Sequence, residues 1–161
     1  MSGAFKFLVI ADDSPEFPAA LAYAALRAKW SGSSVVMRRV IEPEEPAEWV
    51  SVSEEIRRQA IEAAEALTQR YAAEVWAETG LKAEIVIREG EIRGEIRRLI
   101  EDDPAIRIIT LAAGAGQGGP GPLVSSLARG QGFGARPLPV LVVPGGLTKE
   151  AIRALAEPGD G

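Results

Sequence analysis

The chain has no cysteine and no histidine. The first absence excludes a disulfide framework, a thiolate metal site and a thiol nucleophile. The second removes the commonest general base and the commonest metal ligand. Any chemistry must run on carboxylates, hydroxyls, lysine, arginine or backbone groups. Positive charge is also in short supply. Lys and Arg number 18 against 23 Asp and Glu, for a net charge of −5. That balance argues against an electrostatic footprint for DNA or RNA. No run approaches the roughly 18 apolar residues of a membrane span. No signal-peptide pattern opens the sequence, so a cytoplasmic protein with no membrane partner is expected.

What is present fits one soluble globular unit. The length is 161 residues, 47% hydrophobic and 25% charged, which is ordinary for such a domain. No internal repeat and no dividing linker is visible. A single domain over 1–161 is expected, with a core over about 4–145 and a C-terminal helix and tail over 146–161.

Taken in order, residues 5–11 (FKFLVIA) read as a buried strand, stopped by Asp12, Asp13, Ser14 and Pro15. Ser14 can cap the next helix with Pro15 at its first position. Phe17, Leu21, Ala24, Ala25 and Ala28 make a helical stripe that Gly32 ends. Residues 34–41 (SVVMRRVI) are a second strand. After a polar, proline-bearing loop, Ser51 with Glu54 fits a capping box. The long helix behind it carries Ile56, Ala60, Ala63, Leu67, Tyr71 and Val75 on one face and stops at Gly80. Residues 83–88 are strand three, and Ile92, Ile96, Leu99 and Ile100 line a third helix. Strand four, 106–112, empties into a loop holding Gly114, Gly116, Gly118, Gly119 and Gly121. A short helix near 123–129 follows, then a second glycine-rich segment, 130–136. Strand five is PVLVV, Pro139 to Val143, and Thr148 caps a last helix over 149–156.

Strands alternating with helices predict a parallel sheet covered on both faces. In such sheets ligands bind outside the carboxyl ends of the strands, where strand order reverses. A strand that runs into glycines and then a helix is a common way to build an anion or nucleotide cradle; a flexible surface loop is the plain alternative. The glycines follow strand four, not strand one, so the dinucleotide fingerprint is absent, and so is a P-loop.

The acidic end of strand one, FLVIADDSP, resembles the Mg²⁺-holding pair of receiver domains. A receiver also needs an Asp after strand three and a Lys after strand five. Here those strands end IVIREG and VLVVPGG, which argues against a phosphoreceiver.

A second resemblance covers nearly the whole chain. Asp12-Asp13-Ser14 after strand one, Val40-Ile41-Glu42-Pro43 after strand two, Gly90 after strand three, the glycine loop, and the closing Pro139 to Val143 strand stand in the order and spacing of the universal stress protein family. The resemblance implies an α/β, Rossmann-like fold of the adenine nucleotide alpha hydrolase-like type: a five-stranded parallel sheet in the order 3-2-1-4-5. Strands one and four would flank the switch point, so that Asp12 and the glycine loop face one crevice. It also implies a stress-response or regulatory protein that binds an adenine nucleotide there, ATP or AMP. The implied contacts are Ala11, Asp12, Ser14, Val40, Ala112, Gly114, Gly116, Ser125 and Ser126, with Mg²⁺ at Asp12 and Asp13 only alongside nucleotide.

ATP-binding members of the family carry Gly-x-x-Gly, nine residues, then Gly-Ser/Thr. Aligned from the strand, those positions fall on Ala112, Ala115, Ser125 and Ser126; shifted by one, they fall on Ala113, Gly116, Ser126 and Leu127. The first register keeps the final hydroxyl and is preferred, but the motif is eroded in both. No Lys or Arg stands between Arg107 and Arg129. The alternative is therefore a nucleotide-independent, dimeric interaction protein of the same fold. A slow ATPase ranks below both, since no positioned base and no arginine finger is visible. Family members commonly dimerise through the last strand, so a homodimer along Pro139 to Val143 is implied.

Overall fold

A computed structural model describes residues 5–12, 14–42, 50–114, 116, 118–134 and 136–159. The strands are β1 (Lys6–Ala11), β2 (Ser34–Ile41), β3 (Glu84–Glu89), β4 (Ile106–Ala113) and β5 (Val140–Pro144). The helices are α1 (Phe17–Ser31), α2 (Val50–Thr79), α3 (Ile92–Asp102), α4 (Pro122–Ala128) and α5 (Lys149–Ala156). All five strands pair in parallel, in the order β3-β2-β1-β4-β5. This is the α/β architecture that the family resemblance implied.

The central strand β1 shows why the order works. Its side chains alternate between the sheet faces, and both faces are covered, so it is apolar from Phe7 to Ala11. Phe7, Val9 and Ala11 pack with residues of α1, α2 and α5 such as Phe17, Tyr71 and Ile152. Leu8 and Ile10 pack on the other face with Ile96, Leu99 and Ile100 of α3 and with Phe133. α1 reaches the sheet closely because its buried positions are mostly alanine: Ala19, Ala20, Ala24, Ala25 and Ala28. It ends at Gly32, whose left-handed backbone (φ 69°) lets the Ser33 N–H return to the Ala28 carbonyl at 2.8 Å.

Three local expectations are corrected. α1 starts at Phe17, with Glu16 at its N-cap making no side-chain bond, and the proline in its first turn is Pro18. Ser14 does not cap it: the Ser14 N–H donates to Asp12 Oδ1 at 2.9 Å, and Ser14 to Glu16 form a turn before the helix. α2 includes Val50, so Ser51 lies inside the helix and is not its cap. Tyr71 and Val75 of α2 are buried, but Ile56 is 53% exposed and Ala63 is exposed while Ala64 is buried. The reason is length. A helix of 30 residues spans about 45 Å, whereas the strands beneath it, of 6 to 8 residues, span about 20–26 Å. The first turns of α2 have no sheet to cover.

Two further helix starts are capped by side chains. Glu91 accepts the N–H groups of Arg93 (2.8 Å) and Gly94 (2.9 Å) at the start of α3. Thr148 accepts the Ala151 N–H at 3.1 Å at the start of α5, as expected. β5 begins at Val140, one residue later than the sequence suggested. Pro139 has no N–H to give a ladder, although its carbonyl accepts the Ile109 N–H at 3.1 Å. Among the described residues no helix is long and apolar enough to cross a membrane.

Candidate functional site: the crevice between the ends of β1 and β4

β1 turns back toward β2 on one side of the sheet, while β4 leads on to β5 on the other. The chain diverges between them, and a crevice of about 380 Å³ opens at their carboxyl ends. That volume is within the usual range for small-molecule sites. Three segments distant in sequence form most of its walls: Ala11, Asp12 and Ser14 at and after the end of β1, Arg39 and Val40 near the end of β2, and the run from Ala112 through the glycine loop to the start of α4, with Ile92 of α3 beside them.

Asp12 closes a turn through its bond to the Ser14 N–H, which fixes the carboxylate at the crevice edge. Val40 is buried and pairs in the sheet with Arg88 of β3. Glu16 also lines the crevice. Its side chain packs where Gly145 follows β5: a Cβ on Gly145 would overlap Glu16 and approach the Ala113 carbonyl oxygen to 2.9 Å. The ends of β4 and β5 are thus tied together, with the Gly145 N–H donating to Ala113 at 2.9 Å.

The loop glycines divide into two kinds. The Gly114 N–H donates to the Pro120 carbonyl at 3.3 Å, and a Cβ there would fall 2.6 Å from the Gly119 oxygen. Only glycine permits that approach. Gly121, at φ 105°, turns the chain into α4. Gly116 is different: a Cβ added there would have nothing within 4 Å. It faces open space in the crevice wall.

Seven of the residues singled out from the sequence meet here: Ala11, Asp12, Ser14, Val40, Ala112, Gly114 and Gly116. Ser125 and Ser126 do not line the crevice. α4 starts at Pro122, so both serines lie beyond its first turn. The Ser125 N–H already bonds the Gly121 carbonyl at 2.9 Å. The Ser126 hydroxyl, buried, donates to the Pro122 carbonyl at 2.9 Å. Asp13 and Ala115 fall outside the described residues.

A resident Mg²⁺ is not matched by the described donors. Asp12 brings one carboxylate, one oxygen of which accepts the Ser14 N–H. Among the described residues no group of three metal-ligating side chains comes together.

Arg39 is the feature that the sequence pattern did not single out. It is the cation among the described lining residues, which also include the carboxylates of Asp12 and Glu16. Its Nη1 makes one long bond, 3.5 Å, to the Ala11 carbonyl, and its Nε is buried without a partner. A signal was available: two consecutive arginines in an otherwise apolar strand must point to opposite faces, so each needs its own explanation.

The universal stress protein family model matches residues 4–128, from before β1 through α4, including every segment that lines the crevice. Among solved structures, the universal stress protein UspA from Lactobacillus plantarum has 21% identity and a TM-score of 0.70, over 89% of this chain and 99% of that one. A universal stress protein in complex with cAMP has 15% identity and a TM-score of 0.61, over 89% and 98%. One from Archaeoglobus fulgidus in complex with dAMP has 17% identity and a TM-score of 0.56, over 88% and 99%. At these identities the likeness is one of fold. No curated protein matches the sequence. The family match over most of the chain, joined to the β3-β2-β1-β4-β5 sheet, settles its membership: this chain belongs to the universal stress protein family.

Proposed function

We propose that the protein binds an adenine nucleotide in the crevice between β1 and β4, and that it acts in the cytoplasm as a regulatory binding protein rather than a catalyst. One observation carries this reading. Asp12, Val40 and Gly114 come from three separate segments and converge on one crevice at the switch point of the sheet, the place where open α/β sheets take ligands. That two fold neighbours were solved in complex with cAMP and dAMP supports the choice of an adenine ligand.

The test is thermal melting and calorimetry with adenosine, AMP and ATP. A ligand that binds only the folded state stabilises it by about 2.7 kcal/mol at a hundredfold excess over its Kd. For a domain of this size each kcal/mol raises Tm by about 2–4 °C. A rise of about 5–10 °C with at least one of the three is expected. Unchanged melting with all three, together with flat titrations at millimolar ligand, would overturn the reading.

A second reading has its own support. The hydroxyl aligned with the end of the family's nucleotide motif, Ser126, is already bonded to Pro122, and β5 pairs with β4 along one edge only among the described strands. On this reading the protein works through its surface, as a homodimer joined along β5.

A further inference from the structure

We propose that Arg39 is the phosphate-binding and charge-selecting residue of the crevice, and that it favours ligands with one phosphate group over those with three. This rests on the nucleotide reading above and sharpens it.

The argument begins with the arginine pair in β2. Alternation sends Arg38 and Arg39 to opposite faces of the sheet. Arg38 has a structural partner: its Nη2 donates to the Glu95 carbonyl at 2.8 Å and to the Glu95 carboxylate at 3.0 Å. Among the described residues Arg39 has no such partner, and no carboxylate forms an ion pair with it. A guanidinium carries five N–H donors; here Nη1 makes one long bond to the Ala11 carbonyl and Nε is buried and unbonded among the described residues. Leaving that buried donor unmatched is unfavourable. The described fold gives no reason for this arginine, but a bound oxyanion would. Arginine matches the geometry of phosphate oxygens with two parallel N–H groups.

The preference for a single phosphate follows from the charges nearby. The described lining holds one guanidinium against the carboxylates of Asp12 and Glu16. A first phosphate group can be matched by Arg39. A second and third would enter the same crevice with two carboxylates and no further described cation to meet them. The start of α4 brings no charged side chain. Pro122, at its first position, has no N–H to offer, and the Ser126 hydroxyl is already bonded within the helix.

The test is calorimetry on the full chain with adenosine, AMP and metal-free ATP, each at low and high salt. AMP is expected to bind about ten- to hundredfold tighter than adenosine, the range of one charge-assisted hydrogen-bonded contact, and tighter than metal-free ATP. Arg39→Gln should bring AMP down to the adenosine level and leave adenosine unchanged. Equal AMP affinity in the parent and Arg39→Gln would overturn the proposal while sparing the nucleotide reading, and so would ATP binding more tightly than AMP. Loss of adenosine and AMP together in the variant would also overturn it, by showing that Arg39 only supports the crevice. If the parent binds neither ligand, both readings fall. Should Arg39→Gln not fold, the salt series on the parent decides. AMP affinity must weaken as salt rises while adenosine affinity stays flat, and parallel behaviour of the two overturns the proposal.

Discussion

Arg38 and Glu95 form a buried ion pair between β2 and α3: one guanidinium nitrogen lies 2.8 Å from the Glu95 carbonyl oxygen and 3.0 Å from its carboxylate. Arg98, one turn along α3, donates to the other carboxylate oxygen at 2.9 Å. Burial pulls the Arg38 guanidinium below its ordinary pKa, and the Glu95 charge opposes that shift. The pair fixes α3 over the sheet, and Ile92 at the start of α3 lines the crevice.

Removing one partner leaves the other charge buried and alone, which typically costs about 3–5 kcal/mol. Glu95→Ala should therefore lower stability by about that amount in denaturant unfolding. Replacing both partners with apolar groups, Arg38→Met with Glu95→Leu, removes the stranded charge and should recover most of the loss. A double variant as unstable as the sum of Arg38→Met and Glu95→Leu made singly would show that the pair is not coupled in this way.

The glycine loop makes a sharper distinction than its composition suggests. At Gly114 a methyl group would meet the Gly119 carbonyl oxygen, whereas at Gly116 it would meet nothing. Gly114→Ala should lower stability by about 1–3 kcal/mol, the usual range for overpacking. Gly116→Ala should stay within about 0.5 kcal/mol of the parent. Melting of the two single variants checks this, and equal losses would mean that the loop is not braced at Gly114.

Much of this arrangement could be read from the sequence, and for identifiable reasons. The buried strands are short apolar runs bounded by Asp, Gly or Pro, so their number and positions follow from pattern alone. Gly32 and Thr148 end and begin their helices with chemistry that needs no tertiary context. Asp12 and Gly114 were legible as a pair through the family resemblance, because strand order brings them together. What was not legible depends on three dimensions. The stripe on α2 could not reveal that Ile56 lies beyond the sheet. The serines after the loop could not show that their polar groups bond within α4. Neighbouring arginines in β2 look alike in one dimension, and only the fold shows that Glu95 pairs with Arg38 and leaves Arg39 facing the crevice.

The outer edge of β5 carries the dimer prediction. Val142 is 38% exposed in this last strand, and an apolar edge with unpaired backbone groups favours pairing with another copy. A two-fold dimer along β5 satisfies both edges at once. Light scattering should give twice the chain mass for the parent, and Val142→Lys should shift it toward monomer. A monomeric parent would rule the dimer out.

Thr110 offers a test of the core that involves no ligand. It sits in β4 between Ile109 and Leu111, which pack on the α3 side of the sheet. It is fully buried, and its hydroxyl has no hydrogen-bond partner among the described residues. Valine has nearly the same shape and no polar atom. Thr110→Val should therefore raise stability by about 1 kcal/mol by removing an unmatched buried hydroxyl, for a Tm increase of about 2–4 °C. Thr110→Ser keeps the hydroxyl and deletes a methyl, so it should lower stability by about 1 kcal/mol through lost burial and a small cavity. The two variants moving in opposite directions would separate the contribution of the hydroxyl from that of the packing. Destabilisation by Thr110→Val would mean instead that the hydroxyl is satisfied in solution, and a buried water would be its natural partner.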